Sequence, residues 1–542
     1  MEKEQALQAL LDQVVRQGDF IGVSALYLRD GKQLAYAQAG MADRERGIPF
    51  ARDTICRVFS MSKPITAFAV MKLWEDGKLD LNAPVAAYLP EFGDAEHTNL
   101  TIRQLLCMTS GYGYNDNDSV QSAGLGRLYD EISESFTKGG QRTTRQVIAE
   151  MAKLLYRPGK GWRYGVSADI LAAAVEAASG MNYRDFLKQN LLDPLEMVDT
   201  DFYVPEAKRG RFAQAYDFNS GAAVPDVVNH LGIQMNMKSL PEFLSGGAGM
   251  VSTIDDYAHF ATMLMNGGEW NGCRLLKPET VQAMAEPLLN AEQRKIFVGQ
   301  DTMRLGMSYG HLMSVCVAPE ESPVPLHLGE YGWDGKLGTL FTNDPATRSS
   351  LLMMLQRNGP WDRLVNLRVG VKKICGNEGD DGMEPYRPNC YKIPELNGLR
   401  VLLVFIVSWY HFWQQSWLTP SIGSYSLDYL LRAGYMPVDG TILLSGFLLF
   451  LPYARAMLLG EAVPDTKQFY QRRIMRIVPS YYFVTLALLF AVALPWHLYY
   501  NSSDMVRDVV MHLTFTQTFN PATYIATPIG GASWTIAIEM QA

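Results

Sequence analysis

What most restricts the folds open to this chain is a change of texture near residue 376. Before it, "ALYLRDGKQLAYAQAG" reads as a hairpin turning at Asp30-Gly31, and helical patterns then alternate with glycine-punctuated strands. The stretch "NEGDDGMEPYRPNC", residues 377–390, is acidic, aperiodic and carries Gly and Pro, as a solvated linker does. Beyond it, "LRVLLVFIVSWYHFWQQSWL" (399–418), "VDGTILLSGFLLFLPYARAML" (438–458) and "VPSYYFVTLALLFAVALPWHLYY" (478–500) are each about long enough to cross a bilayer, where roughly 20 mainly apolar residues are needed. Trp and Tyr gather near their ends, as at membrane interfaces. One core cannot serve both textures, and 542 residues leave room for two or three. The division expected is a soluble-type domain over 1–376, a linker over 377–390 and a membrane segment over 391–542.

Loop charge orients the membrane segment. Lys392 and Arg400 precede the first apolar run, and Arg455, Lys467, Arg472, Arg473 and Arg476 fill the second connection, whereas the first connection holds only Arg432. Positive loops stay inside, so the expectation is a multi-pass membrane protein with its N-terminal domain on the cytoplasmic face. The opening "MEKEQALQALLDQVVRQGDF" agrees, reading as an amphipathic helix and not a signal peptide. The six cysteines form no C-x-x-C pair, so reduced thiols are expected. A net charge of -8 without basic runs excludes nucleic acid as a partner. Eight histidines in no ligand-like spacing give a metal no support.

Chemistry enters at "VFSMSKPITAF". Apolar Ala67, Val70, Met71 and Trp74 recur at helical spacing and Gly77 stands where a C-cap would, which puts Ser60 at a helix N-terminus and Lys63 one turn along on the same face. A serine hydroxyl needs a base to become a nucleophile, and a helix N-terminus favours negative charge developing on oxygen. The same spacing recurs at Ser135 and Lys138, within "SESFTKGG", where no apolar stripe follows; that match reads as a surface coincidence. A rival nucleophile is Ser308 in "GMSYG", with His311 and His327 downstream, but "YGHLMSVCVA" continues as strand and the G-x-S-x-G elbow needs a helix there.

Further along, "PGKGWRYGVSADILAAAVEAASG" holds Tyr164 just before a helix, and "GEYGWDGKLGTLFTNDP" is a glycine-rich strand pair around Trp333, Asp334 and Gly335. With Ser60 and Lys63, in this order, these pieces resemble the penicillin-recognising serine hydrolases, specifically the class C β-lactamase-like branch that includes the family VIII esterases. "LTIRQLLCMTSG" (100–111) and "LSGGAGMVSTIDDYAHFATMLMNGG" (244–268) extend the likeness through the domain. The resemblance implies an α/β (α+β) fold with an antiparallel sheet, flanking terminal helices and a helical subdomain. It implies Ser60 as the acylated nucleophile, Lys63 as its base or proton relay, Tyr164 as the second acid/base, and an oxyanion site at the N–H groups of Ser60 and Lys336 beside Gly335. No cofactor is implied for this chemistry.

Two departures bear on substrate. Tyr164-Gly165-Val166 lacks the amide of Y-x-N, and Trp333-Asp334-Gly335 replaces K-T-G, removing a lysine and adding an anion. Both disfavour an anionic lactam or peptide, and the expected activity is a carboxylesterase on small neutral acyl esters. The alternatives are β-lactamase or D-alanyl-D-alanine peptidase activity, or an inert membrane-anchored binding module.

The membrane segment resembles the start of the acyltransferase 3 family through "IPELNGLRVLLVFIVSWYHF", "VDGTILLSGFLLF", "FYQRRIMRIVPSYY" and "SWTIAIEMQ". Arg400 and His411 fit that family's Arg-x10-His pattern, and Arg473 and Arg476 its R-x-x-R. The resemblance implies His411 as a base on an acceptor hydroxyl and the arginines as holders of an acyl-CoA donor. The sequence stops just after Glu539, about halfway through that family's usual extent, so a partial, transmembrane all-α domain serving as a tether is expected, with membrane O-acyltransferase activity on acyl-CoA as the alternative should the domain be complete in vivo.

Overall fold

The computed structural model describes residues 2–116, 119–155 and 161–376, and beyond them parts of 402–529, chiefly 481–499 and 501–516. Two compact units divide the chain, Met1–Arg387 and Pro388–Ala542. In the first, β1 (Gly22–Arg29), β2 (Lys32–Asp43), β3 (Ile48–Pro49), β4 (Met307–Tyr309), β5 (Ser314–Cys316), β6 (Tyr331–Asp334), β7 (Leu340–Asp344) and β8 (Ser349–Leu355) form one antiparallel sheet, ordered β4-β5-β6-β7-β8-β1-β2-β3. The predicted hairpin is the β1–β2 corner: Asp30 and Gly31 have φ of 51° and 72°, the pair of positive values that suits the right-handed strand twist.

Strand alternation sorts the core into two layers. Val23, Ala25 and Tyr27 of β1, with Leu351, Met353 and Leu355 of β8, meet α1 (Glu2–Arg16) and the last helix of the unit, α7 (Asp362–Cys375), in one apolar cluster. Leu26, Leu28, Leu352 and Met354 face the other way, onto α2 (Ser62–Glu75), α5 (Ser167–Ser179) and α6 (Ile254–Met265). Between α2 and α5 in sequence, α3 (Val120–Lys138) and α4 (Thr144–Leu154) pack into the same cluster and build the helical subdomain. From Ser62 through Met71 every residue of α2 is buried. The expected stripe was too narrow: α2 is enclosed on all sides and Trp74, 38 % exposed, sits outside the core. Gly77 terminates the helix at φ 69°, its N–H reaching Trp74 O at 3.0 Å.

In the second unit the run expected to span 478–500 is interrupted. Helix over 481–488 passes into a π-helical turn, Leu489–Ala493, and then a turn over 494–497. Pro495 accounts for the break, having no N–H to continue the ladder and a ring that clashes with the preceding turn. A further helix, α8 (Ser502–Leu513), starts from an Asn501 cap. Among the described residues no helix is long and apolar enough to cross a membrane. The other two apolar runs lie almost wholly outside the described residues.

Candidate active site

Ser60 lies in a 3-10 turn, Phe59–Met61, that runs directly into α2. Phe59 has φ of 42°, a conformation costly for a bulky residue and held only when its surroundings fix it. They do: Phe59 is 2 % exposed in a cluster with Ile55, Ala248 and Leu337, and His230 meets its ring edge-on. Arg57, just upstream, is buried and has no carboxylate in ion-pair contact among the described residues; its guanidinium donates to Met235 O, Ala213 O and Gln356 Oε1, tying the 213–235 segment to the strand that feeds Ser60.

One turn along, Lys63 is fully buried and its Nζ donates to Ser60 Oγ at 3.1 Å, to Tyr114 Oη at 3.2 Å and to Gly247 O at 2.8 Å. The same Nζ stands 4.5 Å from the centroid of the Tyr164 ring. Tyr164 Oη accepts from the indole N–H of Trp333 at 3.2 Å. The structure thus gathers Ser60, Lys63, Tyr164 and Trp333, with Lys63 hydrogen-bonded to a different phenol from the expected one. Tyr114 went unrecognised in the sequence, although it closely follows the family-like "LTIRQLLCMTSG". Burial pushes its phenol well above the ordinary range, and the nearby Asp169 and Tyr164 add to this, so it stays protonated at neutral pH.

Two glycines set the spacing. Gly165 packs on the 112–113 backbone so tightly that a Cβ would lie 2.3 Å from Tyr112 O, which brings Tyr164 beside Tyr114; their rings meet at 5.8 Å. At Gly335 a Cβ would lie 2.4 Å from Val58 O and 2.3 Å from Thr339 Oγ1. The end of β6, and with it Lys336, is thereby pressed against the backbone two residues before Ser60. Asp169 supplies a third constraint. Its Oδ1 accepts from Ser245 Oγ at 2.6 Å and Gly247 N–H at 3.0 Å, shaping the loop whose carbonyl faces Lys63. Burial raises the Asp169 carboxyl; those hydrogen bonds and Lys63 oppose the shift. Its only sequence signal was an acid near the start of a mainly apolar helix, "SADILAAAVEAAS".

Asp334 corrects an expectation. It points to the α7 side of β6, opposite Trp333, and pairs with Arg304 and Arg368, each at 3.1 Å. Burial pushes its carboxyl up, but the two guanidiniums outweigh that and hold it below the usual carboxylate range. This anion is neutralised and turned away from Tyr164, so it cannot repel a substrate there. Ser308 lies within β4, buried, its Oγ without a hydrogen-bond partner among the described residues, while His327 Nδ1 is taken by Asp344 Oδ2 at 2.7 Å. Among the described residues no histidine is hydrogen-bonded to it. Ser135 Oγ donates to Ile132 O and Lys138 to Glu134, separately, at the end of α3. Arg400, His411, Arg473 and Arg476 lie outside the described residues.

An antiparallel sheet between helical layers, with a serine and a buried lysine paired on the central helix, defines a class: serine hydrolases of the β-lactamase-like fold. The chain belongs to the beta-lactamase family, whose model, described as Beta-lactamase, matches residues 7–372. Among curated proteins, Esterase EstB of Burkholderia gladioli is 32 % identical over an alignment of 371 residues that covers 64 % of this chain and 89 % of that protein. Among solved structures, "EstCE1, a hydrolase with promiscuous acyltransferase activity" aligns with a TM-score of 0.57 at 24 % identity, covering 69 % of this chain and 99 % of the other. Simvastatin synthase (LovD) from Aspergillus terreus also gives 0.57, at 19 % identity, over 70 % of this chain and all of its own. These two likenesses concern the fold. The family match ends at residue 372 and does not extend into 391–542.

Proposed function

We propose that the first unit hydrolyses small neutral carboxylic esters through an acyl-enzyme on Ser60. The observation that carries this is the 3.1 Å contact between Ser60 Oγ and a fully buried Lys63 amine. Lys63 takes the hydroxyl proton as Oγ attacks the ester carbonyl. The oxyanion is stabilised by the N–H groups of Ser60 and Lys336. As the C–O bond to the alcohol breaks, a proton returns to the leaving oxygen through Tyr164, with Tyr114 handing it on from Lys63. Water then attacks the acyl group, gives up a proton along the same route, and releases the acid and free Ser60.

Ester preference is supported by Val166 in place of an amide-bearing residue and by Trp333. With Trp333 holding Tyr164, a neutral N–H stands where K-T-G enzymes offer a cation to a substrate carboxylate. The similarity to Esterase EstB points the same way. The test is a substrate panel on the full-length protein: short-chain nitrophenyl esters are turned over much faster than nitrocefin, and the reverse ranking assigns the site to lactams. Labelling of Ser60 by a fluorophosphonate separates an enzyme from an inert binding module, which would stay unlabelled.

For residues 391–542 the proposal is a membrane-embedded, acyltransferase 3-like segment, with His411 of the Arg400-x10-His411 pair as base on an acceptor hydroxyl and Arg473 and Arg476 holding acyl-CoA, which keeps the hydrolase on the cytoplasmic face. Its support is the sequence resemblance, together with the outward Phe483, Phe490 and Trp496, 74 %, 64 % and 75 % exposed. Carbonate extraction of cell membranes leaves a membrane-embedded chain in the pellet; release to the supernatant refutes the tether.

A further inference from the structure

Behind the sheet, between β4–β7 and α7, lies a cavity of about 60 Å³, several times the space one water needs. Its lining mixes apolar side chains, Val324 and Leu326 among them, with polar ones, chiefly Arg304, Asp334, Thr342, Arg368 and Lys372. Arg304 is committed to Asp334, and Lys372 to Glu330. Arg368 is only half committed. It is 3 % exposed and its Nη1 holds Asp334 Oδ2, yet Nε and Nη2 find no partner among the described residues, and neither does Thr342 Oγ1.

Nε and Nη2 form the side-on edge of a guanidinium, two parallel donors spaced for the two oxygens of a carboxylate. This chain uses that edge elsewhere in just that way: Arg184 Nε and Nη2 hold the two oxygens of Asp201 at 2.6 and 2.7 Å. A buried donor left unmatched is costly, and burial indeed lowers the basicity of Arg368 despite Asp334.

We propose that this cavity is a second binding site, for a small aliphatic monocarboxylate, whose carboxylate bridges the free edge of Arg368 and Thr342 Oγ1 while its short chain lies on Val324 and Leu326. An acid of this kind is the product released by the esterase proposed above, and the choice of ligand rests on that reading. The site is separate from Ser60: Trp333 stands between them, its ring toward Tyr164 and Arg304 stacked on it at 4.2 Å.

The experiment blocks Ser60 of the full-length protein with a fluorophosphonate and titrates butyrate calorimetrically. One butyrate binds the blocked protein. Arg368→Lys, which keeps the charge but loses the edge, weakens binding at least about tenfold, Thr342→Val weakens it about threefold, and butanamide, being neutral, does not compete. A blocked protein that takes up no butyrate, or the same affinity in both variants, overturns the proposal and leaves the cavity to water. Should Arg368→Lys not fold, the isosteric Thr342→Val decides alone. If Ser60 resists labelling, the esterase reading fails by itself, and titration of the unlabelled protein still tests the site.

Discussion

At the scale of single residues, the site separates two phenols that the sequence did not. Tyr164 could be placed because it opens a helix in a family-like setting, but its hydroxyl is held by Trp333, whereas Tyr114 holds the lysine. If Tyr164 exchanges protons with substrate and Tyr114 only orients and relays, their losses differ in kind. Tyr164→Phe lowers kcat for a nitrophenyl ester by about 10²–10⁴. Tyr114→Phe keeps the ring and lowers kcat by about tenfold, the worth of one good hydrogen bond. Steady-state kinetics of the two variants check this, and equal losses would mean that Tyr114 shares the acid/base role. Ser60→Ala removes turnover to background while Ser308→Ala, in a strand interior without a base, leaves it within about twofold. Nucleophile and lysine were legible because one helical turn fixes their relation. Tyr114 and Asp169 were not, because what makes them matter is a contact across 51 and 78 residues of chain.

At the scale of elements, most of the architecture was written in local pattern. The Asp30-Gly31 turn, the α1 periodicity and the Trp333 strand pair all stand where alternation and turn chemistry put them. Local pattern failed where long-range packing or a single residue overrode it. α2 looks amphipathic in one register yet is buried all round, and Pro495 breaks an apolar run that counts as a span by composition alone. Asp334 was misjudged for a related reason: it was read as an anion facing substrate, whereas in the strand it lies opposite Trp333, where tertiary structure puts Arg304 and Arg368. The junction of β6 with the Ser60 turn is where packing and chemistry meet most directly. Gly335→Ala forces a methyl group to 2.4 Å from Val58 O, so the strand end must shift and take the Lys336 N–H with it. Expected is a loss of about 10²–10³ in kcat, the worth of one oxyanion donor, with a fall of only about 1–3 kcal/mol in stability. Comparing kcat with the urea midpoint checks it; a loss of stability without loss of kcat would remove Lys336 from the oxyanion site.

At the scale of the whole hydrolase unit, the arrangement that builds the site also fixes how the protein meets acid. Burial pushes His230, beside the Ser60 turn, down to about 4, helped by Lys336 and Lys63, and pushes His311 down to about 4, helped by Arg103. In the unfolded chain both titrate near 6.5. Between these values the unfolded state binds protons that the folded state refuses, so the stabilisation is fully present above about pH 6.5 and drains away as pH falls toward 4. Each histidine accounts for about 1.4 kcal/mol per pH unit across that window, and about 3 kcal/mol by its lower end. The buried acids Asp169, Glu176 and Asp256 act oppositely, since burial raises their carboxyls and their protonation on acidification relieves the folded state. The net slope is therefore a contest, and the clean prediction is a difference: His311→Gln reduces the slope of unfolding free energy against pH by about one proton between pH 6.5 and 4 and leaves it unchanged above 7. Urea unfolding followed by pulsed hydrogen exchange on peptides from β1 and β8 reads this unit apart from residues 391–542. Parallel profiles for the variant and its parent would mean that His311 takes up its proton in the folded state, and that the core around it admits charge.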